Sequence, residues 1–122
     1  MTTILLVEDN KDLLWLYEQE LRFEGYEIVT AYDGIDALEK VHEQPPDIVV
    51  MDINMPRMDG IEVMGLILSM NKEIPVIIHT AYNNYKDNFM SWAAAAYIVK
   101  SSELTELKNK IKELLVFEKL TS

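Results

Sequence analysis

The chain has no cysteine. That excludes disulfides and thiolate metal sites together, and it is in keeping with a reducing compartment. Only four glycines and four prolines occur among 122 residues, and they are scattered, so there is no low-complexity segment, linker or repeat to divide the chain; a single domain over 1–122 is expected. Long apolar runs are also missing. No segment approaches the roughly 20 residues needed to cross a bilayer, and "MTTILLVEDN" meets acids too soon to be a secretion signal. The expected address is cytoplasmic, without membrane insertion. Positive charge is scarce too: 11 basic against 21 acidic residues leave a net charge of -10, which repels phosphate backbones and anionic membranes and disfavours direct nucleic-acid binding.

What is present suffices for one core, since 49% of the residues are apolar. Five short runs rich in Val and Ile read as strands: "TILLV", "EIVTA", "DIVVM", "PVIIHT" and "AYIVK". Four are almost unbroken apolar runs, as in strands buried on both faces of a parallel sheet. Between them lie helical patterns. Asn10 is a candidate N-cap before Leu13, Leu14, Tyr17 and Leu21, and Gly25 supplies a stop. Asp33-Gly34 opens a second helix with Ile35, Leu38 and Val41, closed by Pro45-Pro46, and Asp59-Gly60 opens a third with Ile61, Met64 and Leu68. A fourth is expected over about residues 84–93, with Tyr85, Phe89, Met90 and Trp92 partly in the core. A fifth follows Ser102, with Leu104, Leu107, Ile111, Leu114 and Leu115 on one face and "EKLTS" as a frayed end. Five repetitions of strand then helix, joined by right-handed crossovers, predict a doubly wound α/β domain with helices on both faces of the sheet.

In such sheets the chemistry lies beyond the carboxyl ends of the strands. The first strand ends in Glu8-Asp9, the third in Asp52, the fourth in His79-Thr80 and the fifth in Lys100. If the strand order is the flavodoxin-like 2-1-3-4-5, three carboxylates converge on one cleft. Their repulsion is relieved by a divalent cation, and Mg2+ suits hard oxygen donors. Lys100 can pair with the same acids or with an incoming phosphate, and the Thr80 hydroxyl can donate a hydrogen bond to an anion. A single Asp after a strand is usually a cap, as Asn10, Asp33 and Asp59 are expected to be. The set of five residues at successive strand ends is not explained that way.

With these residues in place the chain resembles the receiver domains of bacterial two-component response regulators, and in size the free-standing chemotaxis regulator. The likeness rests on "ILLVEDN", "DIVVMDINMPRMDG", "PVIIHTAY" and "AYIVK", and extends over residues 3–120. It implies that Asp52 accepts a phosphoryl group from a histidine kinase or phosphotransfer protein. Mg2+ would be held by Asp9, Asp52, the backbone carbonyl of Asn54 and, mainly through water, Glu8. Thr80 and Lys100 would take phosphoryl oxygens, and Thr80 with the aromatic Tyr97 would form the switch. The downstream protein target would meet the face made by the fourth helix, fifth strand and fifth helix. Exposed Trp15 marks a second contact candidate on the first helix, and His79 and His42 are assigned no catalytic role.

The chain departs from the family pattern at three places. Ser101 follows Lys100 where proline is usual, so a trans bond is expected, because a cis bond to a non-proline costs roughly 3 to 4 kcal/mol. Ala93 to Ala96 replace a more polar stretch, read as tight packing. Asn54 and Tyr82 occupy the two positions that tune the lifetime of the acyl phosphate and pull in opposite directions, predicting an intermediate lifetime. Three other readings stand beside the switch. One is a receiver-like interaction module that is never phosphorylated. A Mg2+-dependent phosphohydrolase is a second, though it would want an acid where Asn54 stands. A flavin or nucleotide module is the third, and "EDNKD" is electrostatically opposed to it.

Overall fold

The computed structural model describes residues 1–53, 59–71, 73–82 and 94–121, with side chains as far as Val116. Strands β1 (Thr3–Val7), β2 (Glu27–Ala31), β3 (Ile48–Met51), β4 (Val76–Thr80) and β5 (Ala96–Val99) form one sheet in the order β2-β1-β3-β4-β5. Every neighbouring pair is parallel. Four helices are described: α1 (Lys11–Phe23), α2 (Gly34–Glu43), α3 (Gly60–Met70) and α4 (Thr105–Thr121). The helix expected over 84–93, with Tyr85, Phe89, Met90 and Trp92, lies outside the described residues. At the carboxyl end, helical backbone runs to Thr121.

The period of two along a strand sends alternate side chains to opposite faces. Ile4, Leu6, Ile48, Val50, Ile77 and Ile98 meet Leu14, Tyr17 and Leu21 of α1 and Leu107 and Ile111 of α4. The residues in between, among them Leu5, Val7, Val49, Met51 and Ile78, meet Ala37 and Val41 of α2 and Val63, Met64 and Ile67 of α3. Both faces are covered, which is why the central strands read as unbroken apolar runs. Each fully buried Leu or Ile contributes about 1.5 to 3 kcal/mol, so packing on the sheet, more than helix propensity, fixes the helices. Ile35 is a correction: it was expected on the apolar face of α2, yet it is exposed. Gly34, Ala37 and Val41, at steps of three and four, are the buried set, and Ile35 sits one residue out of phase with them.

The loops at the carboxyl edge of the sheet are set by the helix caps. The Asn10 side chain accepts from the backbone N–H of Asp12 and Leu13, at 3.0 and 3.1 Å. Asp33 accepts from Asp36 N–H, and Asp59 from Ile61 N–H, both at 2.8 Å. Each cap satisfies donors that the first helical turn leaves without partners. Gly25, at φ 97°, ends α1 with its N–H on the Arg22 carbonyl. At Gly60 the constraint is space: a Cβ there would stand 3.0 Å from Ile53 Cα. Gly60→Ala must therefore push the start of α3 away from the segment after Asp52. It is expected to cost about 1 to 3 kcal/mol in urea denaturation, and an unchanged midpoint would count against this packing.

Candidate functional site

The strand order brings β1 and β3 together at the centre, with β4 and β5 following on one side, so residues 8, 52, 80 and 100 line one edge. The hydrogen-bond ladder continues one step past the strands. Glu8 N–H donates to Ala31 O, Asp52 N–H to Val7 O at 3.0 Å, and Lys100 N–H to Thr80 O at 2.6 Å. Extended backbone thus carries the alternation into the site. Glu8 is in phase with Leu6, Asp52 with Val50 and Lys100 with Ile98, so all three point to the α1 face.

There the Lys100 ammonium lies between two buried acids, 2.5 Å from Glu8 Oε1 and 2.7 Å from Asp52 Oδ2. Glu8 is 3% exposed and Asp52 7%, whereas Asp9 is open to solvent. One oxygen from each of Glu8, Asp9 and Asp52 lies within 4.8 Å of the others. The second Glu8 oxygen accepts from Asn10 N–H at 3.1 Å. A cleft of about 270 Å³ opens above the cluster, lined by Asn10, Leu13, Ala81 and Tyr82 as well as the charged residues.

Burial pushes the Glu8 carboxyl above its ordinary value, against the opposing pull of Lys100. Burial alone would lower the Lys100 ammonium, but the hydrogen bonds and charges of Asp52 and Glu8 outweigh it and the net shift is upward. Lys100 is therefore a permanent cation at neutral pH. Three acidic side chains share one ammonium, and their oxygen-only donor set at one rim fits a small hard divalent ion such as Mg2+.

Thr80 is fully buried, and its hydroxyl accepts from Tyr82 N–H at 3.4 Å. Tyr97 is 9% exposed and its hydroxyl donates to the Tyr82 carbonyl at 2.5 Å. The two residues expected to form a switch thus meet at the same residue, Tyr82. Asn54 lies outside the described residues. The Lys100–Ser101 bond is trans, as expected, and the Ser101 hydroxyl donates to the Glu103 carbonyl at 2.7 Å. Trp15 is exposed at 62%. Ala94 and Ala96 are buried, in line with tight packing.

The family model described as the response regulator receiver domain matches residues 4–112. The chain belongs to this family. The receiver is 39% identical over 114 residues to the transcriptional regulatory protein PrrA of Mycobacterium tuberculosis, which covers 92% of this chain and 49% of PrrA. It therefore spans about half the length of the curated relatives it matches. Among solved structures it resembles the response regulator TrrA of Thermotoga maritima in complex with Mg2+-BeF. That likeness has a TM-score of 0.89 and 44% identity, over 93% of this chain and 99% of TrrA. TrrA in complex with the histidine kinase ThkA matches at 44% identity and TM-score 0.87, over 94% and 99%.

Sequence reading did not foresee what lies beneath Lys100. The Tyr17 ring centroid is 5.9 Å from Lys100 Nζ and 5.2 Å from the centroid of the His79 ring. Burial, followed by the positive charge of Lys100, lowers the His79 imidazole to about 4. A depressed imidazole stabilises the fold fully above its unfolded value near 6.5, and this contribution is lost as pH falls from there toward 4. The amount at stake is at most about 3 kcal/mol. In His79→Leu the loss of urea stability between pH 7 and 4.5 is expected to be smaller than in the parent receiver by up to that amount; equal losses would show that the His79 imidazole is not depressed in the fold.

Proposed function

We propose that this receiver is a phosphoaccepting signalling switch in a two-component phosphorelay, with Asp52 as the acceptor for a histidine kinase or phosphotransfer protein. The observation that carries the reading is the Lys100 ammonium held between buried Glu8 and Asp52, with Asp9 at the open rim. The three acids and the ammonium come from the ends of three different strands and line one open cleft. The TrrA complexes with Mg2+-BeF and with ThkA support the same assignment.

Phosphoryl transfer needs in-line placement and charge neutralisation more than covalent help. An Asp52 carboxylate oxygen forms the new P–O bond as the donor's P–N bond breaks; the electron pair returns to that nitrogen, and the imidazole, already protonated at its other ring nitrogen, leaves neutral. The product is an acyl phosphate. Lys100, drawn from Asp52, takes one phosphoryl oxygen, and the Thr80 hydroxyl donates to another. Glu8, Asp9, Asp52 and the Asn54 carbonyl are the groups that would hold Mg2+, which when bound supplies positive charge to the carboxylates and the phosphoryl group. Water later attacks phosphorus and returns Asp52 and inorganic phosphate, so no external substrate is turned over.

The change reaches the surface through Tyr82. As Thr80 turns toward the phosphoryl group, the Tyr82 N–H loses its acceptor while Tyr97 still holds the carbonyl of the same residue. This biases a two-state equilibrium of the segment after β4. The output is a protein partner meeting the face that includes β5 and α4, and a cytoplasmic setting suits a donor kinase of this kind. Incubation with Mg2+ and acetyl phosphate is expected to add one phosphoryl mass, lost in Asp52→Asn and cut at least tenfold in rate in Lys100→Met. The acyl phosphate is expected to last minutes, between the tendencies of Asn54 and Tyr82. No mass gain, or a gain that survives Asp52→Asn, would favour the module that is never phosphorylated.

A further inference from the structure

We propose, building on the phosphoacceptor reading above, that Tyr17 is a positioning residue whose ring holds the Lys100 ammonium beside Glu8 and Asp52 at the cleft where phosphoryl oxygens would arrive. Tyr17 lies on the buried stripe of α1, between Leu14 and Leu21. Both neighbours on that stripe are leucine, so packing against the sheet asks only for an aliphatic side chain at this position. An aromatic ring stands there instead, and the alternation described above points Glu8, Asp52, His79 and Lys100 at it.

The ring centroid is 5.9 Å from Lys100 Nζ, within reach of the attraction between a cation and an aromatic face. The site is nearly dry on this side: Tyr17 and His79 are buried, and the gap bounded by Tyr17, His79, Glu8 and Asp52 measures about 10 Å³, room for at most about one water. Little solvent is available to replace the ring as a partner for the ammonium. The His79 ring, tilted by 57° at 5.2 Å, packs against the Tyr17 ring. Burial also keeps the phenol above its ordinary value, so it stays neutral and brings no second anion to the cluster.

Two consequences follow for a loosened Lys100. It spends less time where the phosphoryl oxygens arrive, which slows transfer. It also competes less with a cation for Glu8 and Asp52, which tightens Mg2+ binding. The two effects have opposite signs, whereas general damage to the pocket would slow transfer and weaken Mg2+ binding together.

The test uses the full chain, with phosphorylation from acetyl phosphate followed by mass and Mg2+ binding alone followed by calorimetry. Tyr17→Phe is expected within about twofold of the parent in both. Tyr17→Leu is expected to react about five- to tenfold more slowly and to bind Mg2+ about two- to fivefold more tightly. Tyr17→Met takes its place should circular dichroism show Tyr17→Leu unfolded. An unchanged rate, a Tyr17→Phe defect equal to that of Tyr17→Leu, or weaker Mg2+ binding in Tyr17→Leu overturns the proposal. If the parent chain gains no phosphoryl mass, it is the phosphoacceptor reading that fails, and Mg2+ titration still decides Tyr17: tighter binding in Tyr17→Leu upholds its grip on Lys100 and unchanged binding overturns it.

Discussion

The site depends on one ammonium group. Glu8 and Asp52 are both buried beside each other, and two carboxylates in that position repel and lose hydration. Lys100 bonds to both, which makes their burial tolerable. A buried pair of this kind is poor evidence for net stability, because desolvation offsets much of the attraction. What it fixes is position: one ammonium is held between two buried acids at the floor of the cleft. Removing the lysine would leave two buried carboxylates uncompensated, the costly half of the arrangement.

Lys100 in turn is placed by the backbone. In the wider family a proline follows this lysine; here Ser101 does, through a trans bond. The ladder bond from Lys100 N–H to Thr80 O fixes the residue on one side, and Ser101 Oγ on Glu103 O closes the turn on the other. Strand pairing and a local side-chain turn can therefore do the positioning for which a prolyl ring is one solution.

The sheet was readable because its determinants are local. Runs such as "IVVM" and "VIIH" are strands under any parallel order, and Asn10, Asp33 and Asp59 cap the helices that follow them. Ile35 was misread because Gly34 and Ala37, small residues that carry little hydrophobic weight in a pattern, are the ones against the core. At the site, residue types at successive strand ends named Glu8, Asp9, Asp52, Thr80 and Lys100, since parallel topology gathers those ends. The direction of Glu8 also follows from phase, since it continues the alternation of Ile4 and Leu6. The Tyr17–His79 stack was not readable. It joins a helix and a strand far apart in sequence, and each residue alone looks like ordinary core. The meeting of Thr80 and Tyr97 at Tyr82 was hidden for the same reason, since it rests on side-chain rotamers.

The separations spanned by the central ion pairs, 92 residues to Glu8 and 48 to Asp52, bear on how the molecule comes into being. On a growing polypeptide both acids emerge long before their counterion. Until residue 100 is available, closing β1 against β3 confines two charges of like sign with nothing between them. A chain that stops short of β5 therefore lacks the ammonium that offsets the repulsion between these two acids.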